Sequence, residues 1–303
     1  MCSFCLTNLL IKGNVYIFSD ASLIGMEEIV RRAKSVGVEP LNYARDVFQK
    51  LVLYANAYLE VDDYYVLQGG TALRLFYGSP RFSLDLDFTS TRRTPKSSVK
   101  DFKAVASLLE RLLAPYNIDV SLSGERLSSE DGLYRSFLVF DTSRSLKRKV
   151  RIKVEVVSRS YRDVDFNRGL VIIDFPFSTS ISAVTKSSSQ LLADKIASLA
   201  GGYHKGYVRW RDVFDAYWLL RYSKAKLDHF YLFQEFGTFV EEPEDLLNLI
   251  DRLNRILFEK SLSDAKKDLG RLLNRSMLED KLIEEYVGAT LEALEEAYRV
   301  VKK

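Results

Sequence analysis

The sequence predicts an α+β domain that ends near residue 180 and gives way to a helical C-terminal part. Three observations carry this. Apolar residues recur at helical spacing early in the chain, as in Ala44, Val47, Phe48, Leu51, Tyr54, Ala55 and Tyr58. A middle stretch alternates instead, as in Phe82, Leu84, Leu86 and Phe88 against Arg81, Ser83, Asp85, Asp87 and Thr89. Beyond Lys186 only helical spacing remains.

The elements follow in order. Residues 1–25 read as an extension upstream of the core, because a clean helical pattern starts at Met26 and ends before Gly37. A second helix spans 41–59. The β-type run 64–67 stops at Gly69-Gly70, and 71–77 forms a short helix closed by Gly78-Ser79-Pro80. The alternating strand 81–89 comes next, followed by a polar loop with Pro95 and an amphipathic helix over 99–114. Strands are predicted at 118–123, 134–141 and 149–158. In the last, Val150, Ile152, Val154 and Val156 face one side and Arg151, Lys153 and Glu155 the other. Pro176 and the Ser/Thr-rich residues after it suggest a junction near 176–188. Five helices are expected beyond it: 189–200, 211–222, 227–236, 242–258 and 280–301, with Gly201-Gly202 separating the first two. This divides the chain into 1–25, a domain over 26–180 and a helical domain over 181–303.

At 303 residues with 47% hydrophobic and 28% charged residues, the chain has the composition of a folded globular protein. Its 18 Phe and 17 Tyr supply core bulk. A net charge of +3 excludes an argument for nucleic-acid binding from global charge alone. No apolar run reaches membrane-spanning length, and no signal peptide is legible at 6–11. Cys2 and Cys5 could form a redox pair or half of a zinc site. With no second pair and His204 and His229 distant, two thiols on a tail are favoured, and a reducing cytoplasm is the expected location.

The chemistry centres on two short motifs. Gly69-Gly70-Thr71 joins a strand to a helix N-terminus, where free backbone N–H groups and a hydroxyl can hold phosphates. Asp85 and Asp87 stand at i and i+2 on one strand, so both carboxylates share a face and can share a divalent ion. Such an ion takes carboxylate and phosphate oxygens, which points to phosphoryl or nucleotidyl transfer. A third carboxylate usually completes the set. Glu155, on the polar face of another strand, is the candidate, with Asp141 or Asp119 as alternatives. Arg81 and Ser83 share the face of the aspartates and could contact phosphates.

The segment Leu67-Gln68-Gly69-Gly70-Thr71-Ala72-Leu73-Arg74-Leu75, followed by Arg81-Phe82-Ser83-Leu84-Asp85-Leu86-Asp87-Phe88, resembles the AbiEii/AbiGii-type nucleotidyltransferases. These include the MenT-like toxins and belong to the DNA polymerase-β-like nucleotidyltransferase superfamily. Leu192-Ala193-Asp194-Lys195-Ile196-Ala197-Ser198-Leu199 and Arg211-Asp212-Val213-Phe214-Asp215-Ala216-Tyr217-Trp218-Leu219-Leu220 are similar to two later helices of that family. The motifs run from about residue 64 to 220, in order. Residues 1–25 and those beyond about 225 match none.

The resemblance implies a polymerase-β-like core with a mixed β-sheet flanked by helices, then a helical domain that contributes to the nucleotide pocket. It implies Mg²⁺ or Mn²⁺ as cofactor and an NTP as co-substrate, with Asp85, Asp87 and Glu155 on the metal. Gly69, Gly70, Thr71, Arg81 and Ser83 would meet the nucleotide, Lys195 its phosphates, and Asp212 would lie in the same pocket. The acceptor hydroxyl it suggests is the tRNA 3′ end, and the role that of a toxin held by a cognate antitoxin. A protein hydroxyl as acceptor, or an idle nucleotide- or RNA-binding module, are the alternatives. A basic run (Arg144, Lys147, Arg148, Lys149, Arg151, Lys153) and a second one at Lys186, Lys205, Arg209 and Arg211, interleaved with Tyr203, Tyr207 and Trp210, suggest an RNA path.

Overall fold

The computed structural model describes residues 8–11, 14–17, 26–159, 165–239 and 244–302. Within the N-terminal extension, the backbones of β1 (Asn8–Ile11) and β2 (Asn14–Ile17) pair antiparallel. Cys2 and Cys5 lie outside the described residues. Then α1 (Met26–Ser35) leads to α2 (Pro40–Tyr58), which starts on a proline whose missing N–H is no loss in a first turn. The periodic face of α2 is buried, and Phe48 stacks on Phe140 with ring centroids 4.4 Å apart.

Next come β3 (Val66–Gln68), α3 (Gly69–Phe76), β4 (Asp85–Ser90) and α4 (Pro95–Leu113). They are followed by β5 (Asp119–Ser128), β6 (Leu133–Asp141), the one-turn α5 (Ser143–Leu146), β7 (Val150–Ser158), β8 (Phe166–Asp174) and β9 (Ser178–Lys186). Seven strands form one mixed sheet in the order β5-β6-β7-β4-β3-β9-β8. The central β4 runs antiparallel to β3 and parallel to β7, which sets Asp85 beside Lys153 and Asp87 beside Glu155. Helix α4 packs on β5, β6 and β7, and α2 on β7, β8 and β9. The inward residues of these strands meet them in one core: Val150, Ile152, Val154 and Val156 are all fully buried. The opposite faces of β4, β6 and β7 carry Asp85, Asp87, Arg135, Arg151, Lys153 and Glu155.

Three expectations change. Strand β4 begins at Asp85 and not at Arg81, because Phe82 donates its N–H to Leu272 O at 3.0 Å instead of to a ladder. The Ser/Thr-rich residues after Pro176 form β9, paired antiparallel with β8 and in parallel with β3, so the sheet continues past residue 180. Gly201-Gly202 lies within α6 (Ser188–His204) and does not end it.

Helix α6 starts directly after β9, with the Ser187 hydroxyl accepting from the Gln190 N–H. It packs against α7 (Trp210–Arg221), α8 (His229–Phe239) and α9 (Glu244–Glu259). The short α10 (Ser263–Leu269) touches α7, and α11 (Asp280–Val301) closes the bundle against α7 and α9. The apolar stripe of α11 is packing surface: Ile283, Tyr286 and Leu294 are buried, and Tyr286 meets Phe214 edge-on at 5.1 Å. Among the described residues no helix is long and apolar enough to cross a membrane.

Candidate active site

The strand-to-helix turn is where the backbone comes closest to the carboxylates. Gly69 has φ +70°, and a β-carbon there would lie 2.9 Å from Asp87 Oδ2. A β-carbon on Gly70 would collide with Arg81 Nη2 and lie 3.0 Å from Ser83 Oγ. Thr71 does not face a phosphate position. It is buried, and its hydroxyl donates to the Asp85 carbonyl oxygen at 2.6 Å. Gln49, a residue no local motif marks, donates through Nε2 to the same oxygen at 3.1 Å and to Ser83 O at 3.3 Å. Together they hold the backbone from which the first aspartate projects.

Asp85 and Asp87 open onto a pocket of about 570 Å³. Burial pushes the Asp87 carboxyl up to about 7; Lys153 opposes this, while Asp85 and Glu155 add to it. Glu155 stands beside Asp87 in the parallel register and is held by Arg135 from β6, whose Nε and Nη2 lie 2.8 and 2.7 Å from Oε2. The Lys153 ammonium sits among all three acids, 3.7 Å from Asp85, 4.0 Å from Asp87 and 3.5 Å from Glu155. Among the described residues no group of three or more acidic, histidine or cysteine side chains forms a ready-made metal cluster; Asp85, Asp87 and Glu155 are gathered instead about the Lys153 ammonium. Asp141 pairs with Lys149 at 2.7 Å, and Asp119 lies opposite it at the far edge of the sheet; neither is near Asp85.

The facing wall comes from the helical part. Lys195 on α6 is buried, within 2.7 Å of Asp212 and 2.8 Å of Asp215 on α7. Asp215 also takes both Nε and Nη2 of Arg81, at 2.8 and 2.7 Å. Asp212 takes the Arg209 Nε at 2.6 Å and the Ser198 hydroxyl at 3.0 Å. Burial alone would raise both aspartates, yet Lys195 with Arg209 and Arg81 holds them below the ordinary carboxylate range. Burial would likewise lower Lys195, and Asp212 and Asp215 hold it above its usual value. Three cations against two carboxylates leave one positive charge beside the pocket. Gly202 makes room for this: a β-carbon there would meet Arg209 Cδ at 2.7 Å.

The pocket thus gathers Gly70, Arg81, Ser83, Asp85, Asp87, Lys195 and Asp212. Gly69, Thr71 and Glu155 are not among its lining residues; Gly69 and Glu155 stand beside Asp87, and Thr71 holds the Asp85 carbonyl. The aromatic and basic residues Tyr203, Tyr207, Arg209, Trp210 and Arg211 line the same pocket, with Arg252, Asp264 and Asp268 from α9 and α10. Arg252, Asp264 and Asp268 lie in a region without a recognisable motif.

A model of the nucleotidyl transferase AbiEii toxin of type IV toxin–antitoxin systems matches residues 51–298. The chain belongs to this family. It is therefore a nucleotidyltransferase, an NTP-using toxin whose system includes an antitoxin. Among solved structures, the nucleotidyltransferase toxin MenT4 from Mycobacterium tuberculosis H37Rv is 16% identical; the match covers 92% of this chain and 99% of that one, with a TM-score of 0.51. At that identity the likeness shows the fold, and it extends over nearly the whole chain. JHP933 from Helicobacter pylori is 15% identical over 88% of this chain and 98% of its own, with a TM-score of 0.48. No curated protein sequence matches the chain.

Proposed function

We propose that the chain transfers a nucleotide from an NTP to the 3′ hydroxyl of tRNA, in a reaction that requires Mg²⁺ or Mn²⁺. The observation that carries this is a single pocket with two strand-borne carboxylates on one side and the buried Lys195 ammonium on the other. Asp85, Asp87 and Glu155 suit a hard divalent ion, since all are oxygen donors already gathered about one cation. When bound, such an ion neutralises phosphate charge and activates the attacking oxygen.

The remaining steps belong to the chain's own groups. The Gly69-Gly70 turn lets Asp87, Arg81 and Ser83 close against the backbone, and Gly70, Ser83 and the Arg81 guanidinium line the pocket where the triphosphate would lie. Lys195, fixed between two aspartates, presents a positive charge that needs no reorganisation as negative charge shifts to the leaving pyrophosphate. Asp212 and Asp215 orient Lys195 and Arg81. Tyr203, Tyr207 and Arg209 offer stacking and charge for the nucleoside. In this reading the sheet-bearing part supplies the metal ligands and the helical part from α6 onward the phosphate-binding cation.

The sheet face beside Asp85 favours RNA as acceptor. Arg151 lies over the Phe137 ring at 4.6 Å, and Phe137 stands opposite Lys153, which pairs with Asp85, so guanidinium and aromatic groups lead toward the aspartates. Incubation of the protein with Mg²⁺, each labelled NTP in turn and total tRNA, beside Asp85→Ala, tests this. Label on tRNA from one NTP, absent in the variant, is the expected result. Label on protein instead would replace the acceptor, and label retained by the variant would overturn the site.

A further inference from the structure

We propose that Lys153 is a built-in counter-ion of the metal site: its ammonium holds the place between Asp85, Asp87 and Glu155, and a divalent cation binds by displacing it. This rests on the reading above that the three carboxylates are the metal ligands.

The placement follows from strand register. Lys153 pairs with Asp85 and Glu155 with Asp87 across parallel strands, so all four side chains rise from one face. Three carboxylates drawn together repel one another unless a cation stands between them. The ammonium does so without committing to any: its distances of 3.5, 3.7 and 4.0 Å are all longer than a hydrogen bond.

Lys195, on the opposite wall, provides the contrast. It is held by two contacts at 2.7 and 2.8 Å and is buried, whereas the Lys153 side chain is 29% exposed on a flexible stem. One lysine is locked and the other is exchangeable. A Mg²⁺ ion carries twice the charge and draws its oxygens to about 2.0–2.1 Å, so it cannot share the space with the ammonium. Arg135 keeps Glu155 in place when Lys153 leaves. The displaced ammonium needs a new anion, and a triphosphate in the pocket provides one. Metal binding is therefore weak before the nucleotide arrives and strong with it, which makes the two ligands bind cooperatively.

Mn²⁺ binding to the full-length protein without nucleotide, read from the free-ion EPR signal, tests this in wild type, Lys153→Met, Lys153→Gln and Asp85→Asn. Both Lys153 variants are expected to bind Mn²⁺ about fivefold more tightly or better, the equivalent of releasing about one ion pair. The tightening should persist at about 0.5 M salt, where repulsion acting only through solvent is screened. Affinity that changes less than this, weakens, or tightens only at low salt overturns the role of Lys153. Circular dichroism identifies any variant that fails to fold, and two variants of different polarity keep the test open. If Asp85→Asn binds Mn²⁺ as well as wild type does, the metal-site reading itself fails, whatever Lys153 does.

Discussion

Replacing Asp215 with alanine removes the anion that two buried cations share. Arg81 donates to it twice, at 2.8 and 2.7 Å, and Lys195 lies 2.8 Å away. The Arg81 side chain is 5% exposed and that of Asp215 not at all, so no water replaces the lost carboxylate. Lys195 keeps Asp212, but Arg81 is left buried with only the Phe82 carbonyl at 3.1 Å. Removing one partner of a buried pair costs about 3–5 kcal/mol, against a total stability of about 5–15 kcal/mol. For a chain of this length that lowers the melting midpoint by about 5–8 °C. Asp85→Ala is the control. Its closest ion pair is 3.7 Å long and its side chain 33% exposed, so its stability should stay within about 1 kcal/mol of wild type. Urea and thermal unfolding followed by circular dichroism measure both. A loss below about 1 kcal/mol for Asp215→Ala, or equal losses in the two variants, would refute the argument that the buried Arg81 and Lys195 depend on this carboxylate.

Three further outcomes follow from the same geometry. Gly70→Ala puts a β-carbon where Arg81 Nη2 lies, and the guanidinium can yield only by releasing Asp215. A loss of about 1–3 kcal/mol is expected, together with a smaller NTP-induced rise in melting temperature than wild type shows. Thr71→Val removes a donor from the Asp85 carbonyl, costing about 1 kcal/mol; kcat should fall while KM for the NTP holds, and an unchanged kcat would remove Thr71 from the support of Asp85. For Asp212 and Asp215 the folded pKa lies below the unfolded value, so their stabilisation is present above about pH 4 and lost as the pH falls further. Melting temperature should drop between about pH 4 and pH 3, with a shallower slope in Asp212→Asn; a rise on acidification would contradict this.

Much of the site was legible because its parts are local. Period-two alternation put Asp85 and Asp87 on the polar face of a half-buried strand. Two adjacent glycines between a strand and a helix announced a close backbone approach, and both sit against site side chains. The stripe Leu191, Leu192, Ile196 and Leu199 defined α6 and hence the place of Lys195. Family motifs extended this as far as Asp212. Strand β9 was not legible, since Ser/Thr-rich residues read as linker until another strand pairs with them.

The sequence alone determined which residues carry charge and which face of its own strand or helix each occupies, because those depend on spacing within a few residues. Tertiary structure alone decided what each charge meets. Arg81 finds Asp215 across 134 positions, and Thr71 turns inward to Asp85 rather than outward to a ligand. Tyr203, Tyr207 and Trp210, which read as part of an RNA path, line the pocket because α6 and α7 fold back over the sheet. Lys153 read as one member of a basic run; it stands among three acids because β7 lies parallel to β4. Such contacts follow from strand order and helix packing, which no short stretch of sequence encodes.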